Sequence, residues 1–365
     1  MYKQELNVLI DWVTITFPVD EDEADYIAEY GKSIQSLYRN KFFKFFRTLL
    51  NDVNYEEYTD GGKISHYDRM FIFDEFINFK YFGPLNAKDT PTHALELKGE
   101  GCRSVELLGM DWVLLLDYAY TNGLNVSTLD IACDIFTDKY FTIDNLIKKT
   151  NKGEYISTFK NYNIIHGKRN GTYSGSTIYF GNRSADHITI YDKQYERYYR
   201  GYEVDTNFWL RIEIRLKNKS KSFVAELINR GIDDFPLLYF EILKGLLQFK
   251  VKGKSIQKSL WKIWRPWERF IGDGKEVELI NQAVLETSIT RKKDWYLNSA
   301  AKTYMMIRAC STDEEFEEYQ EEAKFKVSKL TNKDLVVINK ERKLKGYEEF
   351  KNINQLKLYL INTPL

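Results

Sequence analysis

Leu129-Asp130-Ile131-Ala132-Cys133-Asp134-Ile135 alternates between apolar residues and acids or alanine. A period of two belongs to an extended strand, whose successive side chains point to opposite faces. Leu129, Ile131, Cys133 and Ile135 then cover one face, while Asp130, Ala132 and Asp134 share the other. The stretch Arg211-Ile212-Glu213-Ile214-Arg215-Leu216 repeats the pattern, with Arg211, Glu213 and Arg215 on one side. In His187 to Lys193, residues Thr189, Tyr191 and Lys193 fall in phase. Each segment carries polar or ionisable groups where a strand could have been apolar. Together they predict a sheet with one core face and one polar face.

Working outward, Asn7 to Phe17 is rich in β-branched residues and bounded by Pro18, and so reads as a strand. Residues 20–50 read as helical, with acids in the first turn. Residues 92–106 read as a strand entering a tight turn at Gly99 and Gly101. Residues 110–122 read as a helix that Gly123 can close. A short helix is expected over 143–150. A hairpin is expected from Ser176–Phe180 and His187–Tyr191, joined by the turn-rich Gly181-Asn182-Arg183-Ser184-Ala185-Asp186. From Ser222 to about residue 330 the pattern is mostly helical. The expected class is α+β: an antiparallel-rich central sheet with helices, followed by a mostly helical C-terminal region.

Composition excludes several classes. The chain has 365 residues, 43% apolar and 15% aromatic, which is a core-forming profile rather than a disordered one. No apolar run approaches the roughly 18–20 residues that span a bilayer, so no membrane partner is expected. The N-terminus leads into a strand rather than a signal peptide, and the three Cys at 102, 133 and 310 form no C-x-x-C pair. A reducing cytoplasm is the expected compartment.

The charge balance of 53 bases against 53 acids hides a strong asymmetry. Residues 151–310 hold 28 bases and 17 acids, a surplus of +11 offset by −11 elsewhere. Residues 313–322 alone contain seven acids. The densest basic stretch runs from Lys250 to Phe270, with Lys250, Lys252, Lys254, Lys258, Lys262, Arg265 and Arg269 against the single acid Glu268. Such a region suits phosphates. Trp261, Trp264 and Trp267 are interleaved there, and we assign most of them to the core and most of the lysines to DNA.

Other chemistries are not supported. Gly31-Lys32-Ser33 and Gly253-Lys254-Ser255 lack the earlier glycine of a P-loop, since those positions are Tyr26 and Gln248. The four His are isolated from one another. Carboxylates on the polar strand faces remain, as hard oxygen donors for Mg²⁺ or Mn²⁺ or as partners of the neighbouring arginines.

Six segments taken in order resemble the Rep_trans family of rolling-circle replication initiators of Gram-positive plasmids and mobile elements. They are Ile10–Phe17, Leu95–Arg103, Thr128–Asp134, Thr177–Ser184 running into Ile190-Tyr191-Asp192-Lys193, Trp209–Leu216, and Trp267–Gly272. The resemblance implies a Rep-nuclease-like sheet and a metal-dependent DNA nickase that forms a tyrosine–5′-phosphate linkage. It places the nucleophile on Tyr191, with Tyr195, Tyr198 and Tyr199 as nearby rivals. Lys193 and Arg211 would assist, Asp130, Asp134 and Glu213 would hold Mg²⁺ or Mn²⁺, and Arg183 and Arg215 would join the basic stretch in binding DNA. It further implies origin DNA, double- and single-stranded, a homodimer and a host helicase as partners. Conjugative relaxases of the family usually carry an extra N-terminal helix-turn-helix domain, whereas this sequence opens on the Asp11-Trp12 strand, which favours an initiator. A relaxase, or an origin-binding protein that does not cut, are the alternatives. The expected layout is a nicking core over 1–248, a basic DNA-recognition segment over 249–310 packed on it, and an acidic helix and tail over 311–365.

Overall fold

The computed structural model describes residues 5–49, 55–58, 66–73, 76–86, 88–201, 204, 206–274, 301–330, 332–344 and 346–362. Its elements in chain order begin with β1 (Leu6–Pro18), α1 (Glu21–Tyr30), α2 (Ile34–Leu37), α3 (Lys41–Thr48), β2 (Tyr55–Tyr58), β3 (Arg69–Phe73), β4 (Ile77–Tyr81) and β5 (Thr92–Lys98). There follow α4 (Glu100–Leu107), α5 (Trp112–Thr121), β6 (Asn125–Ile135), α6 (Ile143–Asn151), β7 (Tyr155–Ser157), β8 (Tyr162–Arg169), β9 (Thr172–Gly181), β10 (His187–Asp192) and α7 (Lys193–Tyr199). The last are β11 (Leu210–Leu216), α8 (Ser220–Arg230), α9 (Phe235–Leu246), β12 (Leu247–Phe249), α10 (Arg265–Gly274), α11 (Ala301–Cys310), α12 (Asp313–Lys324), α13 (Asn332–Leu344) and α14 (Ile353–Ile361).

Two compact units interleave along the chain. One comprises Met1–Pro18, Pro84–Cys102 and Asp111–Ile280; the other comprises Val19–Gly83, Arg103–Met110 and Asn281–Leu365. In the first, seven strands run in the order β5-β1-β6-β11-β10-β9-β8, each antiparallel to its neighbours. The apolar sides of the alternating strands form the core. Leu129, Ile131, Cys133, Ile135, Ile188, Ile190, Ile212 and Ile214 are all buried. Helices α8 and α9 cover this face, where Tyr239 donates to the Ile212 carbonyl at 2.7 Å and Ser220 to that of Val126 at 2.7 Å. Asp111 caps α5 by accepting from the Val113 and Leu114 amides, and Gly123 at φ 66° closes its far end, as expected.

The second unit contains an antiparallel meander, β2-β3-β4. Its Phe73 and Phe79 pack on Phe43 of α3, and Phe79 also meets Phe46. The single helical region expected over 20–50 is three helices. Gly31, at φ 80°, ends the first, and the side chain of Asn40 starts the third by accepting from the Phe42 and Phe43 amides. The reading of 92–106 as a strand entering a turn holds through Gly99, which turns at φ 28°, but a helix begins at Glu100 and takes in Gly101. The helical expectation beyond Ser222 holds for α8 and α9, yet β12 and a long loop intervene before α10. Residues 275–300 of the expected basic segment lie outside the described residues. Among the described residues, no helix is long and apolar enough to cross a membrane.

The tryptophan cluster is a core feature, as expected, but it does not lie on one helix. Trp261 and Trp264 precede α10, and Trp267 lies within it. Trp267 is 1% exposed and packs against Phe141, Phe249 and Phe270. Trp267→Ala should therefore destabilise the protein by about 3–5 kcal/mol. Urea unfolding followed by far-UV circular dichroism measures this, and a loss below about 1 kcal/mol would contradict the packing role.

Candidate active site

Strand register builds the polar face in rows. Asp134, Arg211, Tyr191 and Thr177 stand side by side across β6, β11, β10 and β9. The next row is Ala132, Glu213, Thr189 and Tyr179, and the third is Asp130, Arg215, His187 and Gly181. Period-two alternation therefore brings together the acids of β6, the charged residues of β11 and Tyr191, although more than fifty residues separate the first strand from the others.

On the other side of β6, β1 pairs Ile10 with Ile131 and then Trp12 with Asp130, so Asp11 is an extra residue in a β-bulge. A bulge shifts the phase of the strand and lets two consecutive side chains serve one face. Asp11 consequently reaches Arg211, with Nη1 at 2.7 Å from its Oδ1. The Trp12 ring lies 4.7 Å from the Arg215 guanidinium and 4.6 Å from the Lys98 ammonium. Neither contact was foreseen. The sequence signal was a lone acid within an apolar strand, but only the bulge turns it into a site residue.

Arg211 is 2% exposed and grips Asp134 with two parallel bonds, Nε to Oδ1 at 2.6 Å and Nη2 to Oδ2 at 2.7 Å. The indole of Trp209 adds a third bond to Asp134 at 2.7 Å. Burial works against the Arg211 charge, but Asp11 and Asp134 more than offset it and raise its pKa above the usual guanidinium value. Arg211, expected to assist catalysis, is thus fully engaged in holding three strands together. Arg215 forms a fork on Asp130, with Nε to Oδ1 at 2.7 Å, and remains partly exposed.

Tyr191 lies beside Glu213 and Lys193. Its hydroxyl is 3.4 Å from Glu213 Oε2, and Lys193 Nζ is 3.5 Å from that hydroxyl. Lys193 also pairs with Glu196 at 2.5 Å. Burial, then the charge of Glu213, push the Tyr191 phenol well above its ordinary value. Burial, then Asp11 and Asp130, push Glu213 up to about 8, with Arg211 and Lys193 opposing. Asp130 is also raised, by burial first, while Arg215 and a hydrogen bond with Glu213 hold it back. A hydrogen bond between two carboxyl groups requires one of them to carry a proton. Tyr191, Glu213, Glu196 and Arg215 line an open cleft of about 560 Å³ that also takes in Arg183, His187, Arg200 and Tyr195.

The three acids expected to bind metal divide. Asp134 is committed to Arg211 and Trp209 and Asp130 to Arg215, while Glu213 lies beside Asp130 and is the one of the three that lines the cleft. Among the described residues, no group of three His, Cys, Asp or Glu is disposed to hold a metal ion. Two carboxylates still suit Mg²⁺, which keeps several waters and commonly completes its shell with substrate phosphate. The donor set therefore fits a cation shared with bound phosphate, not a cage made by the protein alone.

The basic residues are placed unevenly. Arg183 is exposed at the β9–β10 turn, 4.7 Å from the Tyr179 ring. Lys252, Lys254, Lys258, Lys262, Arg265 and Arg269 are exposed, but Lys250 is 6% exposed and bridges to Ile263 through its backbone. The Lys250 side chain is thus poorly placed to meet phosphate. Alternation missed this because Lys250 stands where β12 passes into the core.

Two measurements test this account. Arg211→Gln should cost about 3–5 kcal/mol of stability, because it leaves the buried Asp134 unpaired; a change near zero in urea unfolding would return Arg211 to a purely catalytic role. Glu213 holds its proton more tightly folded than unfolded, where its pKa is near 4.5. Its contribution to stability is complete below that value and is lost as pH rises through about 8. The melting temperature of metal-free protein should accordingly fall between those pH values more steeply in wild type than in Glu213→Gln. Equal slopes would refute the shift.

Comparison with known proteins gives concordant results. The model of the Rep_trans family, described as replication initiation factor, matches residues 124–351. The protein named putative DNA relaxase NicK from Bacillus subtilis (strain 168) is 28% identical over 225 residues, or 58% of this chain. The match spans 62% of that relative's length, less than two thirds. The solved structure of the rolling circle replication initiator protein from Geobacillus stearothermophilus is similar, with a TM-score of 0.60 and 26% identity. That similarity covers 76% of this chain and 99% of the other. With its sequence matched over more than half its length, the chain belongs to the Rep_trans family of replication initiation factors.

Proposed function

We propose that this protein nicks one DNA strand at a rolling-circle origin through a covalent link between Tyr191 and the 5′ phosphate, and rejoins the strand at termination. The observation that carries this reading is the Tyr191 hydroxyl, set in an open, arginine-lined cleft between a carboxylate and an ammonium group. The names of the relaxase and initiator relatives support it.

The chemistry follows from the groups present. A phenol raised by burial is a poor nucleophile until its proton is removed. Glu213 is the adjacent acceptor when its carboxyl is ionised. Lys193 stabilises the phenolate that results. The phenolate oxygen forms a bond to phosphorus as the bond to the 3′ oxygen breaks, and that oxygen takes up the proton Glu213 has accepted. Arg183 and Arg215 line the cleft where the flanking phosphates would run. Glu213 and Asp130 would hold Mg²⁺ or Mn²⁺ together with the scissile phosphate, where the ion supplies positive charge. Reversal by the free 3′ hydroxyl restores the phosphodiester and releases Tyr191.

The relaxase relative favours a second reading with the same chemistry, strand transfer in conjugation, which differs in the DNA site rather than in the catalytic groups. The proposal includes a cytoplasmic homodimer that works with a host helicase.

Supercoiled plasmid carrying the DNA that flanks the gene should become relaxed and protein-linked in the presence of Mg²⁺ or Mn²⁺, and EDTA should prevent it. Tyr191→Phe should abolish the covalent adduct, and Glu213→Gln should slow cleavage by roughly 10²–10⁴-fold. An adduct that survives in Tyr191→Phe would move the nucleophile elsewhere. Binding of the plasmid without cleavage would favour an origin-binding protein that does not cut.

A further inference from the structure

Between β12 and α10 the chain forms a loop with an unusual surface. Ile256 is 98% exposed and Leu260 is 70% exposed, the most exposed isoleucine and leucine among the large hydrophobics of the described residues. Single exposed apolar side chains are ordinary. Here two share one short loop, and its backbone is pinned. The loop base is closed by Val251 N to Lys262 O at 2.9 Å and Trp264 N to Phe249 O at 2.9 Å. Inside, the buried Trp261 donates to the Ser255 carbonyl at 2.7 Å, and the Gln257 amide bonds to Ser255 Oγ at 3.1 Å. Gly253 passes so close that a Cβ there would lie 3.1 Å from the Trp261 ring. The anchored backbone reduces the ordering required when the loop meets a partner.

The surrounding charge identifies that partner. Lys252, Lys254, Lys258 and Lys262 are exposed and flank the apolar pair in sequence, and no acid occurs from Lys250 to Arg265. Apolar side chains flanked by phosphate-binding lysines match proteins that enter the minor groove and insert an aliphatic side chain into a base step. We propose that Ile256 and Leu260 form a wedge that parts a base step of duplex DNA and so supplies unpaired strand to the enzyme. This rests on the DNA-nicking reading and adds a strand-opening device to it. Pyrimidine–purine steps, which unstack most easily, are the preferred point of entry.

The test uses full-length protein carrying Tyr191→Phe, so that DNA opening is read without cleavage. The probe is a short duplex of alternating T–A steps bearing 2-aminopurine, at low salt and saturating protein. Binding should raise 2-aminopurine emission, and Ile256→Ser combined with Leu260→Ser should cut that rise at least about fivefold. Ile256→Met combined with Leu260→Met should retain it, which separates an apolar wedge from a general disturbance of the loop. An undiminished rise in the serine variant overturns the wedge. So does a change confined to self-association, measured by sedimentation, which would assign the pair to a contact between protein copies. Opening and cleavage are read separately, so failure of the wild type to cut any DNA would count against the nicking reading alone.

Discussion

The buried guanidinium of Arg211 organises the first compact unit. It meets Asp134 on β6 through two bonds and Asp11 on β1 through a third, and so couples three neighbouring strands. A fully buried charge is costly unless geometry and further hydrogen bonds compensate, and Trp209 provides one of these. The arrangement supplies two acids to one base. The surplus negative charge is felt by Glu213, whose high pKa owes more to Asp11 than to any cause but burial. A structural ion pair thereby tunes a neighbour that is available for chemistry.

The polar face divides its labour by row. The row containing Asp134 and Arg211 is locked and sets Tyr191 beside Arg211. The next row places Ala132 beside Glu213, and this small side chain makes no demand on the carboxylate. The third row pairs the buried Asp130 with Arg215, which lines the cleft. Tyr191 and Glu213 thus sit where a fixed framework gives way to solvent, which suits the role proposed for Tyr191.

Alternation made much of this legible. The polar faces of β6 and β11, the hairpin to β10, the Gly123 helix end and the core tryptophans follow from local pattern. Pattern failed where a backbone break or a neighbouring element decided the outcome. Gly31 and Asn40 divide one apparent helix into three, and a helix begins at Glu100 directly after the turn at Gly99. Lys250 counts as one more base in the sequence, yet its strand carries it into the interior. Asp130 and Asp134 look equivalent four residues apart, but each takes its role from the arginine or carboxylate opposite it.

The sequence by itself determined the fold class and the inventory of acids and bases, while the candidate nucleophile came from the resemblance to the family. Period-two alternation and charge distribution are properties of neighbouring residues, and they survive without tertiary information. Tertiary structure alone decided which acids act together. Register sets Asp134 against Arg211 and Asp130 against Arg215, and the bulge at Asp11 turns that acid toward Arg211. Register and bulge phase depend on pairing between segments far apart in the chain, so the local pattern of any one strand cannot specify them.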